Sequence, residues 1–213
     1  MQLEQKGVED VIRRFSRHEL LSRGAKGGSV LLLAGSAFGA SAGIARATTT
    51  AFPDNDLAYL RLLITAELLG GDFYANAIQA QPYGAAGSKS LTRARFNEGE
   101  HYASLASSIT ASNQVPATAD DIDFVYPKDT YASAGSITKL AVELETLFLG
   151  AYLGAVAAVQ DRSLAQPLAR IAANQAQHLT VFSQLLGRDG FGLSFPAVLS
   201  IGEASDALDR YTA

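Results

Sequence analysis

The chain has 213 residues, enough for one main domain with appendages, and 48% of them are hydrophobic, which supplies a real core. A formal net charge of −4, with no basic face beyond the N-terminal stretch, argues against nucleic acid as a partner. The absence of cysteine excludes disulfides, thiol catalysis and cysteine-based zinc sites, and leaves the compartment open.

Residues 1–26 carry Lys6, Arg13, Arg14, Arg17, Arg23 and Lys26, while Val8, Val11, Ile12 and Phe15 recur at helical spacing. A short basic amphipathic helix is expected there. An uncharged run follows from Gly27 to Ala45, close to the minimum of about 17–20 residues for a membrane span. Two readings share residues 1–47. As an export signal, the run is followed by the small-x-small site Ala45-Arg46-Ala47, and Ser16–Leu21 resembles a twin-arginine signal with His18 at the second arginine. As a retained anchor, Gly35, Gly39 and Gly43 form a small-xxx-small ladder for helix packing in lipid. Both readings place Met1 in the cytoplasm and the rest outside it, periplasmic or otherwise extracytoplasmic, with an inner-membrane anchor in the second case. A membrane contact through this segment is expected, and a homo-oligomer or a membrane-protein partner is compatible with it.

Residues 48–53 read as a linker, and residues 54–186 as four helices in an all-α bundle. The first spans about 55–79, with Asp54 or Asn55 as its cap, and Gln81-Pro82-Tyr83-Gly84 stops it. The second spans about 89–112, capped by Ser88 or Ser90, the third about 136–160, capped by Ser136. The fourth spans about 164–186, with Pro167 in its first turn. Residues 113–135 lack periodicity and form a long crossover between two tight hairpins, and residues 187–213 form a tail that packs on the bundle and carries a last short helix.

Chemistry concentrates in four places, one per helix: Glu67, Glu98-x-x-His101, Glu145 and Gln175-x-x-His178. Residues i and i+3 share a helix face, so each pair reaches one common point. This order nearly reproduces the ligand set of a carboxylate-bridged di-metal bundle, with Gln175 standing where a fourth Glu belongs. Three carboxylates and two imidazoles are costly to bury without counter-charge, and oxygen and imidazole donors suit iron or manganese. Tyr74 follows Glu67 by seven residues and Tyr152 follows Glu145 by seven, a shift of about 20° around a helix. The two halves therefore read as a pseudo-twofold repeat, with Tyr74 and Tyr152 expected either to cap buried carboxylates as core aromatics or to serve a redox role. Gly70-Gly71 is read as a place of close helix approach, and Glu100 and Glu143 as solvent-facing.

Together, Glu67 with Phe73-Tyr74, Glu98-x-x-His101, Glu145 with Ala151–Ala155, and His178 give residues 54–186 a resemblance to the ferritin-like superfamily. In particular the chain resembles the bacterial desiccation-related ferritin-like domain proteins. The resemblance implies a ferritin-like four-helix bundle that binds one or two iron or manganese ions and handles iron, oxygen or peroxide. By the same carry-over, Glu98 and Glu145 are bridging carboxylates, and Glu67, His101 and His178 terminal ligands. Gln175 weakens the second ion and leaves the stronger one expected near Glu98, His101 and Glu145. The alternative is a metal-poor structural or interaction subunit of a membrane or envelope complex.

Overall fold

The computed structural model describes residues 52–80 and 83–213. The expectations for residues 1–47, including the glycine ladder at Gly35, Gly39 and Gly43, lie outside the described residues, as does Gln81-Pro82. Four long helices, α1 (Asp54–Ala80), α2 (Ala85–Ala111), α3 (Ala134–Ala158) and α4 (Arg162–Leu185), are followed by a short α5 (Ile201–Leu208). Helices α1 and α2 pack as one hairpin and α3 and α4 as the other, while α1 against α3 joins the two. The crossover contains one 3₁₀ turn, Ala119–Asp121. Among the described residues there is no strand beyond an isolated bridge between Phe124 and Thr212.

The core is built from the interior faces of all four long helices, with Phe73, Tyr74, Phe148, Tyr152 and Phe182 among its largest buried side chains. By length and composition α3 is apolar enough to cross a membrane, but 61% of its apolar window is buried inside the bundle. That burial makes it the central core helix.

Helix starts differ from the sequence expectation wherever two polar residues compete for the cap. Ser133, not Ser136, caps α3; Ser136 is the reciprocal partner three residues on, its hydroxyl accepting from Ser133 N at 3.1 Å. Helix α2 starts at Ala85 with Gly84 at the cap position, and Ser88 donates to Tyr83 O. Asn55 does not cap its own helix; it donates to Ala158 O at 3.2 Å, satisfying a carbonyl at the end of α3. Buried Asp56 accepts from Gln160 N and Asp161 N, both at 2.8 Å, and so clamps the α3–α4 turn onto the start of α1. Asp161 caps α4, which places Pro167 beyond the first turn and inside the helix.

The tail crosses α3 where two glycines leave room. Leu199 N donates to Gly150 O at 3.0 Å. A Cβ at Gly154 would lie 1.8 Å from Leu199 O, whereas one at Gly71 meets nothing within 4 Å. Gly70 is the close-approach position of the Gly70-Gly71 pair, and Gly71 is not. Gly154→Ala is therefore expected to destabilise by about 1–3 kcal/mol as an overpacking change, while Gly71→Ala stabilises by about 0.5–1 kcal/mol through helix propensity. Thermal unfolding of the two variants checks this. Equal shifts would mean that the tail does not rest on α3.

Candidate metal centre

Each long helix delivers its chemical residues to one interior point. Glu67 comes from α1, Glu98 and His101 from α2, Glu145 from α3, and Gln175 and His178 from α4, and all six are buried. Glu100 and Glu143 are exposed, and Glu143 accepts from Tyr211 at 2.9 Å.

The carboxylate of Glu98 lies at the middle. Its Oε2 is 3.3 Å from His101 Nδ1, and its Oε1 is 3.1 Å from His178 Nδ1. His101 Nδ1 also lies 3.2 Å from Glu67 Oε2, and His178 Nδ1 lies 3.1 Å from Glu145 Oε1. Two donor triads result, Glu67/Glu98/His101 and Glu98/Glu145/His178, each with ligand atoms within 4.8 Å of one another. Glu98 belongs to both; Glu145 belongs to one. The pairing of His101 with Glu145 around one ion is thus corrected: His101 goes with Glu67, and Glu145 with His178. Sequence spacing places residues along a helix but does not say which neighbour across the bundle they meet.

The donor atoms present fit a metal. Ligands at about 2.1 Å from a first-row divalent ion stand about 3.0–3.4 Å from their neighbours in octahedral or tetrahedral arrangements, the range of the separations above. Two buried oxygens, Glu145 Oε2 and Gln175 Oε1, have no hydrogen-bond partner. Such orphaned acceptors are costly without a cation. Gly70 completes the cradle, because a Cβ there would sit 3.2 Å from Glu98 Cγ and 3.1 Å from Phe148. The missing side chain lets Glu98 reach the centre.

The tyrosines cross between hairpins. Tyr74 of α1 donates to Glu145 Oε1 of α3, and Tyr152 of α3 donates to Glu67 Oε1 of α1. Each caps the carboxylate of the opposite half, which is the pseudo-twofold repeat realised in space. Gln175 donates from Nε2 to Glu98 Oε2 at 3.1 Å and to Glu67 Oε1 at 3.4 Å, filling with an amide the side of the centre nearest His101.

Asn97 escaped the sequence reading. Its Nδ2 lies 2.9 Å from His178 Nε2. When Nδ1 faces a metal, Nε2 carries the proton, so the Asn97 amide must present its oxygen, the flipped assignment. A partner of this kind orients a ligating imidazole. Its only sequence signal is a polar residue beside Glu98, which does not reveal a contact made across to α4.

Electrostatics follow from the crowding. Burial alone would lower both imidazoles, but hydrogen bonds and charges from Glu67 and Glu98 push His101 up to about 10. Glu145 and Glu98 likewise push His178 up to about 10 against its burial. Burial, helped by the Glu98 charge, raises Glu67 well above the usual carboxylate range and brings Glu145 up to about 7. Burial would raise Glu98 too, yet hydrogen bonds from Glu67, His101 and His178 hold it low. Without metal, the centre is neutralised by protons gathered around an ionised Glu98.

Two helical hairpins joined by a long crossover, with Glu67, Glu98-x-x-His101, Glu145 and Gln175-x-x-His178 facing one interior point, form a ferritin-like arrangement of groups that could hold a metal ion. A family model described as a ferritin-like domain matches residues 55–188, more than half of the chain, and the protein belongs to that family. No curated protein gives a significant match.

Proposed function

We propose that the protein is an envelope-facing ferritin-like metal protein that holds one iron or manganese ion tightly and a second weakly, and handles oxygen or peroxide with it. The observation that supports this best is Glu98, which turns one carboxylate oxygen toward each imidazole. Glu98, Glu145 and His178 would hold the tight ion, oriented by Tyr74 and Asn97. Glu67, Glu98 and His101 would hold the weak one, because the Gln175 amide already occupies their oxygens. Bound iron or manganese supplies one-electron redox chemistry, and the oxygen and imidazole donors suit either metal.

The envelope placement draws on the basic flank and uncharged run of residues 1–45, as a signal or an anchor, and on the resemblance to desiccation-related ferritin-like proteins. Gln175 and the proton-neutralised centre favour a second reading, a metal-poor subunit that serves as an interaction partner of a membrane or envelope complex.

Anaerobic titration with Fe²⁺ or Mn²⁺ separates the two. One ion per chain, with a second at least tenfold weaker, is the expected result, and Glu98→Gln should abolish both. A protein that takes up no ion under these conditions is the metal-poor subunit.

A further inference from the structure

An unbroken line of aromatic rings leads from the centre to the bundle surface. The Tyr74 hydroxyl bonds to Glu145, and its ring meets Phe73 edge-on at a centroid distance of 5.1 Å. Phe73 in turn lies 5.9 Å from Tyr126 and 6.0 Å from Tyr131, two half-buried residues of the crossover. The outer tyrosines are not equivalent. Tyr126 donates to Asp72 Oδ2 at 2.7 Å, and Asn76 holds that same oxygen at 2.9 Å. The Tyr131 hydroxyl is buried beside Asn76 and Tyr126 and bonds to no carboxylate. A phenol gives up an electron far more readily when its proton has somewhere to go. Tyr126 has a carboxylate placed to receive that proton, and Tyr131 has none.

We propose that Tyr74, Phe73 and Tyr126 form an electron route to the metal centre, with Tyr126 and Asp72 as its outer, proton-coupled end. The proposal rests on the reading of one tightly held ion. Reducing one hydrogen peroxide to two waters takes two electrons and two protons. Two Fe²⁺ ions would supply both electrons; a single Fe²⁺ supplies one and becomes Fe³⁺. The second electron comes from Tyr126, passing through Phe73 and Tyr74. The phenolic proton of Tyr126 moves to Asp72, leaving a neutral tyrosyl radical and a carboxylic acid, and two protons from solvent complete the waters. Gln175 and the tyrosine route then belong together: the residue that weakens the second ion removes one electron source, and the ring line replaces it. At the half-buried end, a one-electron reductant too large to enter the bundle can restore Tyr126.

The test loads the full chain with one equivalent of Fe²⁺ without oxygen, adds one equivalent of hydrogen peroxide, and freeze-quenches for electron paramagnetic resonance. A tyrosyl radical is expected, with one Fe²⁺ oxidised per peroxide consumed. In Tyr126→Phe the radical yield should fall at least tenfold and the ratio should move toward two Fe²⁺ per peroxide. Asp72→Asn should lower the yield severalfold with the phenol intact, and Tyr131→Phe should leave it unchanged. All three keep the ring or shape of the parent residue, and Fe²⁺ affinity measured beforehand confirms that each folds. Bound iron that gives no radical, or a radical of undiminished yield in Tyr126→Phe, overturns the route alone. Failure to bind Fe²⁺ overturns the route and the metal reading together.

Discussion

Gln175→Glu should convert the weak half of the centre into a strong one, raising affinity for the second Fe²⁺ or Mn²⁺ by on the order of 100-fold, about 2.7 kcal/mol. The amide of Gln175 donates to Glu98 Oε2 and Glu67 Oε1, and its own oxygen has no partner. A carboxylate there supplies a charged ligand atom to the Glu67/Glu98/His101 triad and takes away the donor that competes with the ion. Without metal the effect reverses. Two carboxylates lose a hydrogen-bond donor and gain a like-charged neighbour at a fully buried position, a change that costs about 3–5 kcal/mol when it leaves a buried charge uncompensated. The variant is thus expected to unfold at lower temperature than the parent as apo-protein and at higher temperature in excess metal, since binding to the folded state alone stabilises it. Anaerobic titration combined with thermal unfolding in both states measures the crossover. A variant with unchanged apo stability and no added metal uptake would show that position 175 does not face the ion.

The second large effect is on pH. His101 and His178, ordinarily near 6.5, are both pushed up to about 10 in the folded chain. A raised folded value contributes stability that is fully present below the unfolded value and is lost as pH climbs through the folded one. For the imidazoles that window runs from 6.5 to about 10. Glu145, raised from 4.5 to about 7, acts in the same direction through its own lower window. Glu98, held low, acts oppositely, and its contribution fades as pH falls below 4.5. Apo-protein is therefore expected to be most stable in mild acid, at about pH 5–6, and to weaken steadily toward pH 10. Metal binding must expel the imidazolium protons, so metal affinity should instead rise with pH, by about one to two log units per pH unit between 6 and 9. Calorimetry in two buffers of different ionisation enthalpy counts the released protons. Affinity that is flat or falling with pH would mean that the imidazoles do not coordinate.

Much of the centre was legible in the sequence because its geometry is mostly local. Glu98 and His101 share a face by spacing alone, and so do Gln175 and His178. The matching Glu-to-Tyr intervals exposed the repeat. What stayed hidden depends on how one helix is rotated against another: His101 meeting Glu67 and not Glu145, Asn97 reaching His178, and Tyr126 finding Asp72 from the crossover. Helix starts were misplaced for a different reason. Ser133 and Ser136 bond reciprocally, so either fits the cap pattern, and only backbone geometry tells which one stands outside the helix. The role of Gly154 was equally invisible, since its partner is a backbone carbonyl 45 positions away in the tail.

The crossed tyrosine bonds have a bearing on how the chain reaches its final state. Each hairpin has local contacts enough to begin forming by itself and gives its glutamate a histidine, His178 for Glu145 and His101 for Glu67, but neither supplies the remaining partner: Glu145 waits for Tyr74, and Glu67 waits for Tyr152. Until the hairpins meet, water must hydrate both carboxylates, and the interior cannot dry. Desolvation, proton capture and ring packing therefore fall into one late, cooperative event, and a half-formed molecule carries charge where its apolar interior should be. That arrangement discourages stable folding intermediates with one finished half, and makes the centre itself the checkpoint of assembly.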